Sequence, residues 1–228
     1  MNPKTDIKKP GELSNEGFRL MKTHDYEQAL RLFLMSCEFY AQGNDLKNQA
    51  VQLQAISEIY RLTDKIHEAV ETCKNLVKIY EQTQEYEKLF RVLNNTGLLE
   101  IGRKNYKEAL IWFKGALKPA EKLGNKKYVA LQLGNMGSTF RDMNKSDDAI
   151  LYYEKALSLY EELGQREGVA DQYTNIAYIH IVEKRLEKAL ELYQKALQLY
   201  IDIENTEKAQ FTEQNIGRLK AVLKESQV

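Results

Sequence analysis

The sequence predicts an all-α fold: a right-handed α-solenoid of stacked helix-turn-helix hairpins with a C-terminal capping helix. Three observations carry this expectation: a register of forty residues, helical spacing of apolar residues within each register, and a scarcity of helix breakers. Stepping by forty from Gly17 gives Ser57, Gly97, Gly137, Ala177 and Gly217, all small. Ala29 leads to Ala69, Ala109, Ala149 and Ala189; Phe33 leads to Cys73, Phe113, Tyr153 and Tyr193; Tyr40 leads to Tyr80, Ala120, Tyr160 and Tyr200. The 228 residues contain only 3 prolines, where average usage would give about 11.

The elements follow in order. Residues 1–10 read as a flexible polar arm. Five repeats occupy 11–206, at about 11–46, 47–86, 87–126, 127–166 and 167–206, and residues 207–226 read as a capping helix of the same solenoid domain. In the fourth repeat Leu133, Met136 and Phe140 take the i, i+3, i+7 spacing of one helical face. The polar turn Asn144-Lys145-Ser146 follows, then a second helix that the pattern predicts to be longer than the first. Gly164 stands where a helix end favours a left-handed residue, and Gly124 and Asn44 are its equivalents. A small residue in the first helix, set against an Ala in the second, predicts close backbone approach with the aromatic filling the space beside them. One hairpin cannot bury its apolar face alone, so the units stack.

Two places depart from the pattern. Pro119 stands inside a second helix, four residues after Gly115, and predicts a kink between them, because proline removes a hydrogen bond and clashes with that carbonyl. The segment FTEQNIGRLKAVLKESQV has a first helix and no second, with Phe211, Ile216, Leu219 and Val222 on one side. It reads as a cap on the last repeat, and the end of a longer array would read the same way.

The small residue of the first helix, the Ala in YEQAL, YKEAL and LEKAL, the aromatic four residues later and the alanines Ala116, Ala156 and Ala196 resemble tetratricopeptide repeats. The forty-residue length resembles the variety found in kinesin light chains and spindle-orientation scaffolds. Ser57, Ser36 and Leu76 depart from that pattern, which makes the first two repeats the least regular. The resemblance implies a superhelix whose concave groove, lined by first helices, binds a partner.

Charge and chemistry exclude several other functions. The 33 basic and 33 acidic residues cancel, so no global field draws the chain to nucleic acid or an anionic membrane. No apolar run reaches the ~18 residues of a membrane span, no signal peptide is visible, and cytoplasmic localisation is the expectation. Cys37 and Cys73 fall in apolar columns and read as buried fillers. His24 and His67 fall at turn and first-turn positions, and His180 shares a half-buried column with Tyr60 and Phe140. No metal, nucleotide or nucleophile motif is present. The chain reads as non-enzymatic, without cofactor or metal.

One column resists a purely structural reading. Two residues before the small column stand Asn15, Ala55, Asn95, Asn135, Asn175 and Asn215, although asparagine is a poor residue for a helix interior. Either each amide bonds the neighbouring helix as a ladder, or, as the resemblance implies, the amides bond the backbone of a bound peptide; both roles are compatible. If the groove is real, the same offset places Gln54 and Arg61, then Arg91, Asn94, Leu98 and Ile101, then Leu131, Ser138 and Arg141, then Tyr178 and Arg218 along it. Lys22 and these four arginines outnumber Glu58, Asp142 and Asp171, so the expected partner is a protein or peptide with apolar anchors and some acidic residues. The lysine clamp of chaperone-type repeats is absent, because the position before the asparagines reads Ser14, Gln54, Asn94, Gly134 and Thr174. Trp112 beside Tyr152 on second helices is either ordinary wrapping or a dimer contact. The function expected is an interaction scaffold or adaptor. The rivals are a self-assembling structural protein, using the solenoid ends or the Trp112 surface, and a peptide-sensing regulatory domain of a larger signalling chain.

Overall fold

The computed structural model describes residues 9–225, and among these there are eleven helices and no strand. They are α1 (Pro10–Lys22), α2 (Tyr26–Gln42), α3 (Leu46–Leu62), α4 (Ile66–Gln82), α5 (Tyr86–Gly102) and α6 (Tyr106–Lys122). The series continues with α7 (Lys126–Asp142), α8 (Ser146–Glu162), α9 (Arg166–Val182), α10 (Leu186–Asp202) and α11 (Thr206–Glu225). Odd-numbered helices are the first of each repeat and even-numbered the second. The second helix is not the longer one: from the second repeat to the fifth, both members have 17 residues. Polar openings such as Lys126-Lys127-Tyr128 hide the true start of the first helix from apolar periodicity. Of the expected arm over residues 1–10, positions 1–8 lie outside the described residues, and Pro10 belongs instead to α1, where it occupies the first helical position and its missing N–H costs nothing.

Ten identical turns set the frame. In each, the middle residue has positive φ: His24, Asn44, Asp64, Gln84, Lys104, Gly124, Asn144, Gly164, Lys184 and Glu204. The residue after it donates to the carbonyl five back, as Asp45 N does to Tyr40 O at 2.8 Å, which closes a Schellman motif. That same residue caps the following helix where its side chain allows. Asp25, Asp45, Asn125 and Asn205 each accept from the backbone N–H three residues on, at 3.1–3.2 Å. Gly164, Gly124 and Asn44 therefore stand as expected. The seven other positions show that the geometry is imposed on charged and polar residues too.

The described chain divides into two compact units, one ending at Leu99 and the other beginning at Glu100. In the first unit Ala29, Phe33, Ala69, Leu76 and Tyr80 are buried. A Cβ placed on Gly17 would lie 2.9 Å from the Phe33 ring, so the aromatic packs directly against the small residue. The second unit repeats this arrangement. A Cβ on Gly137 would come within 2.7 Å of Tyr153, and Ala177 packs with Ala189 and Tyr193 in one cluster.

Three further expectations meet the structure here. Helix α6 runs through Pro119 without interruption, and the buried proline still accepts from Leu123 N at 3.0 Å. On α11 the covered stripe is Thr212, Ile216 and Leu219, while Phe211 and Val222 are 60% and 49% exposed. The stripe that α10 covers takes i, i+4, i+7 spacing, and Phe211 falls just off it. Cys73 is buried as expected, whereas Cys37 is only half-buried. Burial pushes the Cys37 thiol up, and a hydrogen bond with Gln49 opposes that rise.

Candidate functional site

The asparagine column does not form a continuous ladder. Asn95 accepts from Asn94 of its own helix at 3.1 Å, and Asn15, Asn175 and Asn215 make no side-chain hydrogen bond among the described residues. Their environments differ between the two units.

In the first unit a hollow of about 490 Å³ opens between α3, α4 and α5. Its position follows from a pair of exceptions. Elsewhere the second helix presents Phe or Tyr against Gly or Ala; here α4 presents Cys73, whose Sγ lies 3.2 Å from the Oγ of Ser57. A larger residue on one side is met by a smaller one on the other, and the ring that fills this space elsewhere is missing. Ser57, Cys73 and Leu76 form the apolar side of the hollow, and Gln54, Asn95 and Leu98 line it from α3 and α5. Its cations are already engaged: Arg61 pairs with Glu58 at 2.6 Å, Arg91 with Glu87 at 3.0 Å, and Lys88 with Glu85. The hydrogen bonds that Arg61 donates to Glu58 hold its guanidinium above its usual range. Such exposed pairs contribute little to stability and exchange partners readily.

In the second unit a hollow of about 260 Å³ lies between α7 and α9, with Leu131, Asn135, Ser138 and Asn175 on its walls. It too follows from an exception, because Gly134 carries no side chain. A Cβ there would sit 3.5 Å from Oε1 of Gln172. Gln172 is buried and donates from Nε2 to the Gly168 carbonyl at 3.3 Å. Beside it Asp171 accepts from the Tyr200 hydroxyl at 2.7 Å and from Lys208 Nζ at 2.6 Å. Burial pushes the Tyr200 phenol up, and its bond to Asp171 adds to the rise. Burial also opposes the charge on Lys208, but Asp171 and Glu167 outweigh it and raise its pKa. A further hollow of about 390 Å³ contains Arg141 and Tyr178; the guanidinium stands 5.8 Å from the ring centre and 2.9 Å from Asp142.

The sequence-predicted residues thus fall into three groups within the units. Gln54, Arg61, Arg91, Asn95 and Leu98 share the first hollow. Leu131, Asn135, Ser138 and Asn175 share the second, and Arg141 and Tyr178 the third. Ile101 does not line a hollow; it packs on the core of Ala109, Phe113 and Met136. Asn94 is half-buried against Asn95, and Asn15, Asn215 and Arg218, on α1 and α11, line none of these hollows. Three of the basic residues expected along the groove, Arg61, Arg91 and Arg141, are paired with Glu58, Glu87 and Asp142. Sequence reasoning missed Gly134 and Gln172, whose signal was a second column of buried glutamines, Gln52, Gln132 and Gln172. His24 hydrogen-bonds Tyr26 in a turn at 2.8 Å, His67 is exposed, and His180 is half-buried. Trp112 is half-buried, and Tyr152 stacks on Phe140 with centroids 5.1 Å apart.

Paired helices of nearly equal length and a repeated left-handed turn define a solenoid of helical hairpins. Sequence profiles described as tetratricopeptide repeat match residues 88–162 and 135–202. The chain belongs to the tetratricopeptide repeat family. No curated protein matches it. Among solved structures it is similar to the apo form of RapI, at 14% identity and TM-score 0.70 over 89% of this chain and 74% of that one. It is also similar to a putative kinesin light chain with nearly identical repeats from Podosopora anserina, at 11% identity and TM-score 0.63 over 86% and 99%. Aspartyl phosphate phosphatase F from Bacillus subtilis matches at 19% identity and TM-score 0.68, over 88% of this chain but only 53% of its own. At these identities the likeness is one of fold. No helix among the described residues is long and apolar enough to cross a membrane.

Proposed function

We propose that the chain is a non-catalytic cytoplasmic scaffold whose first-helix faces bind an extended peptide of a partner protein. The observation that carries this reading is the Asn175 amide, which lines a hollow and makes no side-chain hydrogen bond among the described residues. An amide offers both donor and acceptor, so it matches any peptide unit without reading its side chain. The hollow of the first unit supplies a place for an apolar anchor, and Arg61 and Arg91 at its edge suit neighbouring acidic residues. A peptide selected from a displayed random library tests the reading. Asn135→Ala with Asn175→Ala lowers its affinity about tenfold, the loss of one or two hydrogen bonds, while the melting temperature holds. Unchanged affinity removes the asparagines from the site. A second reading, end-to-end self-association, draws on the exposed Phe211 and Val222 of α11; a sedimentation coefficient that stays monomeric at high concentration sinks it.

A further inference from the structure

We infer that the hollow beside Gly134 is a binding site for a neutral carboxamide side chain, an asparagine or glutamine carried by the bound peptide. The inference rests on the peptide-binding reading above and adds the identity of one side chain. Gln172 is 5% exposed, and its amide cannot turn over. Nε2 faces the Gly168 carbonyl at 3.3 Å, and reversal would set oxygen against oxygen. Its Oε1 therefore points toward Gly134, buried and without a donor. A buried acceptor in that state is unfavourable, and it is relieved when a ligand brings the donor.

The column shows what is missing. Positions equivalent to Gly134 are Ser14, Gln54, Asn94, Thr174 and Gln214, and every one of them carries an N–H or O–H. The missing donor is not by itself what bares the acceptor, since Oε1 of Gln52 is equally bare although Ser14 stands at the equivalent place. What sets this repeat apart is that Gly134 leaves the bare Oε1 of Gln172 on the wall of an open hollow. Charge then selects the ligand. The Asp171 carboxylate disfavours an anion, and Lys208, 2.6 Å from that carboxylate, opposes a second cation. A neutral group with both donor and acceptor fits, and the amides of Asn135 and Asn175 on the walls complement it in either direction.

Immobilised libraries of short random peptides, alike except for one central position fixed as Gln, Asn, Leu, Arg or Glu, test this with the full chain and with Gly134→Ser. That variant places its Cβ at 3.5 Å from Oε1, an ordinary contact, and brings a hydroxyl as the donor. The wild-type chain is expected to retain the Gln and Asn libraries about fivefold better than the others, the yield of one good hydrogen bond. Gly134→Ser, whose side chain enters the hollow where the ligand amide would sit, is expected to lose the preference. Gln172→Met, which keeps the shape without the acceptor, is expected to lose it as well. Better retention of the Arg or Glu library overturns the inference. Retention without preference, or a preference that survives both substitutions, overturns it while leaving peptide binding intact. If no library is retained, the peptide-binding reading falls and this one with it.

Discussion

The two units break the same forty-residue rule in different chemical currencies. In the first, the exception is apolar: Cys73 stands where Phe33, Phe113, Tyr153 and Tyr193 stand elsewhere, and Ser57 enlarges in partial compensation. In the second, the exception is polar: Gly134 carries no side chain, nothing nearby enlarges to replace it, and the bare Oε1 of Gln172 lines the hollow this leaves. Both exceptions open onto the first-helix face, and both leave a hollow. The comparison teaches that in a repeat protein the candidate site lies where a column fails, while the agreeing columns only build the frame.

The sharpest way to break this comparison is to transplant the Ser–Cys pair into the second unit. Tyr153→Cys alone should cost about 3 kcal/mol, as for other large buried aromatic losses. Gly137→Ser alone should cost about 1–3 kcal/mol, because its Cβ enters the ring. Combined, they should cost clearly less than the sum in urea titrations, since each makes room for the other. Simple additivity would show that Ser57 and Cys73 do not compensate. The reverse transplant, Ser57→Gly with Cys73→Phe, should fill the first hollow and stabilise its unit by about 1–2 kcal/mol. Affinity for a selected peptide with an apolar anchor should fall about tenfold; calorimetry that finds full affinity would move the anchor elsewhere.

The smallest expected effect concerns His180 in the second unit, whose column mate Tyr60 lies in the first. Burial, then Arg185 and Lys188, holds its folded pKa below the usual range. The unfolded chain therefore takes up the proton first, and stability falls as pH drops through about 6.5, the ordinary histidine value. His180→Phe should flatten that decline between pH 7.5 and pH 5; equal declines in the two proteins would show that the site does not titrate differently on folding.

The fold was largely legible because its strongest determinants repeat. A column such as Ala29 to Ala189, fully buried in every copy, is visible without any structure. Helix lengths were less legible, since polar first turns such as Lys126-Lys127-Tyr128 carry no apolar period. The site was legible only in outline. The asparagine column marks the face onto which both hollows open, but Ile101 lies on one of its helices and turns into the core. The position of Gly134 was read as evidence that a lysine clamp is missing, whereas its physical meaning depends on Gln172, which approaches from the next repeat. Such a relation joins residues 38 positions apart by sequence number, and no single column contains it.

The ten identical turns carry a consequence for how this protein can change. Because every turn has three residues around a left-handed middle one, each helix from α3 on begins twenty residues after the last, whatever its sequence. One residue inserted within a helix would rotate everything after it by about 100° and throw every later column out of line. Length is thus forbidden ground for variation except in whole units, while identity at a column is open ground. New specificity can be written as single letters on an unchanged ruling, and the two hollows are where such letters now differ.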